Sequence, residues 1–270
     1  METLVRFGPQ QRLLGILSGS ELPANAPILV LPSAGLVPRA GPFRLHVEMA
    51  QRLAARGVRT FRFDVPGVGE APRESGCDYR GATFAALEQL TAHHGGTRFV
   101  VGGVCSAADL GWIAALANER VVGALMLDGM CYTGPWFQLA RIRGMLASPR
   151  RWLGFVRRLI LRGSGDGGTH TTLDARDWPT RAEAQQQMQQ LLMRNVRLLF
   201  IYSGGISDYF RDVRQFGWSF GRAARDTRVT MLHWPDCDHT YYTRVHRDRL
   251  LATVEAWLGT VFVTDEETAA

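Results

Sequence analysis

Short apolar runs alternate with longer stretches of helical periodicity through most of the chain, the pattern that βα units leave in a sequence. Two alternating segments, Leu4 to Phe7 and Leu13 to Leu17, predict an opening antiparallel hairpin. Ile28 to Leu31 then reads as a buried strand. A helix follows over about Phe43 to Arg56, with Leu45, Met49, Leu53 and Ala54 on one face and Gly57 just past its end. Further strands are predicted at Val58–Phe63, Arg98–Gly102, Val121–Leu127, Val196–Tyr202 and Arg228–His233, with helices at Arg80–His93, Ser106–Asn118 and Thr243–Leu258. Eight strand segments separated by helices predict an α/β fold with a mostly parallel eight-stranded sheet flanked by helices.

The alternation lapses between about Tyr132 and Arg194, where no buried-strand pattern occurs. This stretch reads as helical, with a Gly-rich break at Gly163–Gly168 and a polar helix through Glu183 to Gln190. It predicts a helical lid, residues 132–194, inserted after the sixth strand between core segments 1–131 and 195–262. The acidic end, 263–270, reads as a fraying tail. With 270 residues and 46% hydrophobic content, one domain with one large core is expected.

Charge changes this picture little. A net charge of +6 spread over the whole chain reads as a solubility feature and does not call for a nucleic-acid partner. Arginine does concentrate between Arg141 and Arg162, and apolar and basic residues recur at helical spacing from Ser148 to Arg162. That pattern suits an anionic carrier protein or a membrane surface, but the plainer reading is a lid helix with solvated arginines. Cys77, Cys105, Cys131 and Cys237 lack the spacing of a zinc site or a disulfide framework. Together with an N-terminus unlike a secretory signal and no span-length apolar segment, they point to the cytoplasm. No nucleotide-binding fingerprint or metal-ligand cluster stands out, so neither a cofactor nor a metal is expected.

The sharpest chemical signal is Gly102-Gly103-Val104-Cys105-Ser106-Ala107-Ala108, between a buried strand and a helix. A nucleophile elbow forces its central residue into a strained conformation, so the positions two before and two after must be small. Gly103 and Ala107 satisfy this around Cys105, whereas centring on Ser106 would put Val104 at a position where a β-branched residue fits poorly. A sulfur there lies over a helix N-terminus, where a thiolate is favoured and the Ser106 N–H can help hold an oxyanion. A plain buried cysteine is the alternative. It is outweighed only because an acid and a histidine follow in the expected order.

The histidine is His239, in the loop after the last predicted strand. For the acid, Asp208 follows the penultimate strand where the chain turns into a helix, although an N-capping aspartate would look the same. Asp128, at the end of the strand before the lid, is the other candidate. The second oxyanion donor is expected from Pro32-Ser33-Ala34-Gly35, with the Ala34 N–H as donor and Gly35 beside the substrate. Trp136, at the entry to the lid, is a candidate pocket wall.

The strings Arg39-Ala40-Gly41-Pro42-Phe43-Arg44, Leu53-Ala54-Ala55-Arg56-Gly57 and Arg62-Phe63-Asp64-Val65-Pro66-Gly67-Val68-Gly69-Glu70, with Gly103-Val104-Cys105-Ser106-Ala107, resemble the α/β-hydrolase superfamily. Within it, the chain is similar to the serine-aminopeptidase-like branch and to exosortase-system-associated hydrolases with a cysteine elbow. The resemblance implies a triad of Cys105, Asp208 and His239. It departs from the common pattern at Glu70-Ala71, where an aspartate and a serine are more usual, and at Pro32-Ser33, where a histidine and a glycine often stand. Since an acyl-cysteine stays reactive toward water, alcohols and amines, the expected activity is acyl transfer or (thio)ester hydrolysis on a small-molecule, CoA-linked or carrier-bound acyl donor. Two other classes compete: a non-catalytic ligand- or partner-binding protein of the same fold, and a serine-type or dehalogenase-like hydrolase using Asp128.

Overall fold

The computed structural model describes residues 1–20, 26–73, 76–146 and 176–263, with side chains through Val261. The expected docking stretch from Ser148 to Arg162, the Gly-rich break and the acidic tail lie outside the described residues. Eight strands form one sheet: β1 (Glu2–Phe7), β2 (Leu13–Ser18), β3 (Ile28–Pro32), β4 (Thr60–Phe63), β5 (Phe99–Val104), β6 (Val121–Leu127), β7 (Arg197–Ser203) and β8 (Val229–Trp234). Their spatial order is β1-β2-β4-β3-β5-β6-β7-β8. β1 and β2 pair antiparallel, as do β2 and β4, and every other neighbouring pair is parallel.

The central strands are apolar on both faces because both faces are covered. From β3, Ile28 and Val30 join one core cluster while Leu29 and Leu31 join the other. From β7, Leu198, Phe200 and Tyr202 face the first cluster, and Leu199 and Ile201 the second. Helices α2 (Tyr79–His93) and α3 (Ser106–Ala117) cover the first face. The second is covered by α1 (Leu45–Ala54) and the long C-terminal α7 (Arg244–Val263). The predicted start of α1 at Phe43 is corrected: Phe43 and Arg44 have φ of 48° and 64°, so a 3-10 turn precedes a helix that begins at Leu45.

Between β6 and β7 the described residues form α4 (Pro135–Leu146) and α5 (Arg181–Met193), and α6 (Arg214–Phe220) follows β7. α5 opens with a capping box, in which the Thr180 hydroxyl accepts from the Glu183 N–H and the Glu183 carboxylate accepts from the Thr180 N–H. Although it falls within the expected lid, α5 packs as a core helix: Ala184, Met188 and Leu191 are fully buried in the cluster that holds Phe200 and Phe220. Among the described residues no helix is long and apolar enough to cross a membrane.

The packing of α5 predicts that Leu191→Ala lowers unfolding stability by about 2–5 kcal/mol. Met193→Ala, at a position 79% exposed, should change it by no more than about 0.5 kcal/mol. Urea denaturation of both variants measures the difference, and equal effects would place α5 outside the core.

Candidate active site

Cys105 stands between β5 and α3 with φ 57° and ψ −120°, the strained conformation an elbow requires. The need for small neighbours is steric. Gly103 has φ 150°, and a Cβ there would lie 3.0 Å from the Ala107 Cβ. The backbone is held on both sides of the bend, by the Cys105 N–H donating to the Leu127 carbonyl at 2.8 Å and the Ala108 N–H donating to the Cys105 carbonyl at 3.0 Å. The thiol is partly exposed, whereas Cys77, Cys131 and Cys237 are buried.

His239 comes from the loop between β8 and α7, and its ring is coupled to the Cys105 thiol. Its Nδ1–H donates to Asp128 Oδ2 at 2.6 Å. Asp128 is wholly buried at the end of β6, with φ 53°. It also accepts from Ser203: the backbone N–H donates to Oδ1 at 2.6 Å and the hydroxyl to Oδ2 at 2.7 Å. Asp208, expected as the histidine's partner, does not occupy that position. The 3-10 turn Gly204–Ile206 after β7 carries it onto the surface, where it is exposed. The end of β7 instead presents Ser203, which orients the carboxylate of Asp128 toward the histidine. The turn also admits the His239 loop, since a Cβ on Gly205 would overlap the His239 backbone nitrogen.

Electrostatics separates this thiol from the others. Burial pushes Cys105 up, but the His239 hydrogen bond, the Arg176 charge, the His239 charge and the Ser106 N–H outweigh it and hold the thiol below its ordinary range. His239 moves the opposite way: the Asp128 and Cys105 hydrogen bonds raise it to about 10 against the opposing effect of burial. Both directions favour a thiolate beside an imidazolium. Burial pushes Cys131 and Cys237 up to about 12, as expected of structural cysteines.

The loop after β3 lies against the elbow. Gly35, exposed and with φ 54°, donates its N–H to the Ser106 hydroxyl at 2.9 Å. Ser33 anchors the loop by donating its N–H to the Phe63 carbonyl and accepting from the Val65 N–H at 3.0 Å, while Ala34 bridges to Val37. Trp136 stacks on Arg214, 4.1 Å from ring centroid to guanidinium carbon. It lines a groove with Val213, Phe216 and Trp218 that has none of Cys105, His239 or Asp128 in its wall. Among the described residues no group of three or more His, Cys, Asp or Glu side chains is arranged to hold a metal ion. Three residues at the site carry no signal in the sequence pattern: Ser203, Arg176 and Tyr209. The last two touch the backbone of Cys105 and Asp128, and only tertiary packing brings them there.

No family model matches the chain, and no curated protein matches it. Solved structures do. An alpha/beta-hydrolase candidate of unknown function from Agrobacterium tumefaciens superposes with a TM-score of 0.63 at 14% identity, covering 98% of both chains. The Pyrococcus furiosus esterase Pf2001 superposes with a TM-score of 0.62 at 14% identity, over 96% of this chain and 91% of that one. Mouse alpha/beta hydrolase domain-containing protein 10 gives 0.57 at 12% identity, over 96% and 99%. Likeness over nearly the whole length, with an eight-stranded, mostly parallel sheet between helical layers, shows that this chain has the α/β-hydrolase fold.

Proposed function

We propose that this protein is an acyl-transferring or (thio)ester-cleaving enzyme in which Cys105 is the covalent nucleophile, His239 the proton carrier and Asp128 the acid that orients it. The observation that carries this reading is one imidazole hydrogen-bonded to a buried carboxylate and coupled to the elbow thiol, with opposite shifts on thiol and ring. In the proposed reaction the Cys105 thiolate forms a C–S bond to the acyl carbon, and the carbonyl π pair moves onto oxygen. The N–H groups of Ser106 and Ala34 are the proposed oxyanion donors. Collapse expels the alkoxide or thiolate leaving group, which takes the proton from the His239 imidazolium. The neutral imidazole then accepts a proton from water, an alcohol or an amine as that nucleophile attacks the acyl-cysteine, and collapse restores the thiolate and the imidazolium.

The esterase among the structural relatives and the resemblance of the elbow to exosortase-associated hydrolases favour an acyl substrate. A CoA-linked or carrier-bound acyl group suits a thiolate, which exchanges readily with thioesters. Four free cysteines and a nucleophile that oxidation would destroy fit a reducing compartment such as the cytoplasm.

Incubation with short acyl thioesters and p-nitrophenyl esters should leave an acyl mass on Cys105, and Cys105→Ala should show none. Absence of the adduct across a broad acyl panel, with folded protein, would remove the proposal. Asp128→Asn should lower kcat by about 10²-fold or more, while Asp208→Asn leaves it at the wild-type value. The reverse ranking in steady-state assays would return the acid to Asp208.

The pH dependence follows from the shifts. A thiol held below its usual value keeps its thiolate to lower pH, so the pH midpoint of iodoacetamide alkylation of Cys105 should lie below that of an ordinary thiol. Above about pH 10 His239 loses the proton that the leaving group needs, so acyl-enzyme formation should decline on the alkaline side. An alkylation midpoint at or above that of an ordinary thiol would contradict the first expectation, and acyl-enzyme formation undiminished above about pH 10 would contradict the second.

A further inference from the structure

We propose that Arg176 is a positioning residue of the Cys105 site, a planar fork that ties the backbone carbonyl of the nucleophile to that of the acid. The inference rests on the Cys105–His239–Asp128 reading above and extends it to a side chain supplied by the stretch between α4 and α5.

Every donor of this guanidinium is used. Its Nε–H donates to Asp109 Oδ2 at 2.6 Å. Nη2 donates to Asp109 Oδ1 at 2.7 Å and to the Cys105 carbonyl at 2.9 Å. Nη1 donates to the Asp128 carbonyl at 3.2 Å and to the Tyr209 hydroxyl oxygen at 3.4 Å. Five N–H groups therefore meet five acceptors, and none remains for a substrate carboxylate or phosphate. This count separates a positioning role from a substrate-binding one.

The surroundings hold the fork still. Asp109, in the first turn of α3, grips it bidentately. Trp178 lies across its face, with the guanidinium carbon 4.6 Å from the ring centroid, and donates its indole N–H to Asp109 at 3.2 Å. Tyr209 packs its ring 5.3 Å from Trp178 and donates its hydroxyl to the Asp128 carbonyl at 2.8 Å. The Arg176 side chain is only 11% exposed.

The two carbonyls it joins belong to the two strained residues of the site, Cys105 with φ 57° and Asp128 with φ 53°. These are the points where β5 and β6 leave the sheet and where thiol and carboxylate acquire their separation. A rigid link between them fixes the span that His239 must bridge. The charge of the same cation also favours the thiolate of Cys105 over its thiol, so loss of the arginine removes a charge as well as a strut. Lysine restores the charge but brings three donors on a flexible stem, and cannot bridge both carbonyls while gripping Asp109.

The experiment measures the pH midpoint of Cys105 alkylation by iodoacetamide, alongside kcat and KM on an ester substrate, for wild type, Arg176→Gln, Arg176→Lys and Asp109→Asn. Arg176→Gln should raise the midpoint by about one unit and lower kcat with KM little changed. Arg176→Lys should keep a midpoint nearer wild type and still lose about tenfold in kcat. Asp109→Asn should shift both readouts in the direction of Arg176→Gln by a smaller amount. Thermal melting establishes which variants are folded, and if Arg176→Gln is not, the other two decide. Folded variants with wild-type midpoint and kcat would overturn the role of Arg176 while the wild-type acyl adduct still stood. A wild-type protein that forms no adduct would instead sink the nucleophile reading, leaving the alkylation midpoints to judge the arginine alone.

Discussion

A carboxylate with no solvent exposure is tolerated only when every lone pair that faces the interior meets a donor. Asp128 meets this condition through the Ser203 N–H, the Ser203 hydroxyl and the His239 ring. The third bond governs the site. It fixes which nitrogen of His239 carries a proton, turns the rest of the ring toward Cys105 and stabilises the doubly protonated form. Remove the carboxylate, and the imidazole loses both its orientation and the charge that makes a thiolate favourable.

The sheet supplies the precision. Asp128, Cys105 and Ser203 sit at the ends of adjacent parallel strands β6, β5 and β7, where chain direction brings strand ends together and loops leave the core. Backbone ladders set the spacing between these ends to within a strand width. Side chains refine it through the Ser203 bonds to Asp128 and the Arg176 fork across two carbonyls. His239 alone arrives on a longer loop, and Gly205 lets that loop lie directly on the turn after β7. Rigid strand ends and one loop docked on the turn after β7 hold the thiol, the carboxylate and the imidazole together.

Much of this architecture was legible in the residues. The alternation of Ile28, Leu29, Val30 and Leu31 between two apolar environments, and of Leu198 through Tyr202, marks strands buried on both sides. The elbow was legible because its steric rule acts over five consecutive residues, Gly103 to Ala107, so local sequence contains the whole constraint. The acid was not. Asp128 and Asp208 both follow a buried strand by a few residues, and nothing local distinguishes them. What distinguishes them is Ser203, whose donors point at Asp128, and a turn that carries Asp208 outward. Arg176 was invisible for the same reason, since its five acceptors are 33 to 71 residues away in the chain. α5 read as a polar lid helix because Arg181, Glu183 and five glutamines dominate its composition, while the few apolar positions that bury it, Ala184, Met188 and Leu191, form a narrow stripe.

The central claim is a thiolate and an imidazolium sharing one hydrogen bond, and the state of the ring reports it most directly. Nuclear magnetic resonance of protein carrying ¹⁵N-labelled histidine distinguishes neutral from doubly protonated imidazole. At pH 8 the His239 ring should be doubly protonated in the wild-type protein, in accord with a pKa raised to about 10, and its pKa should fall when Cys105 is replaced by alanine and fall further when Asp128 is replaced by asparagine. A neutral His239 at pH 8 with the thiol intact would contradict the account.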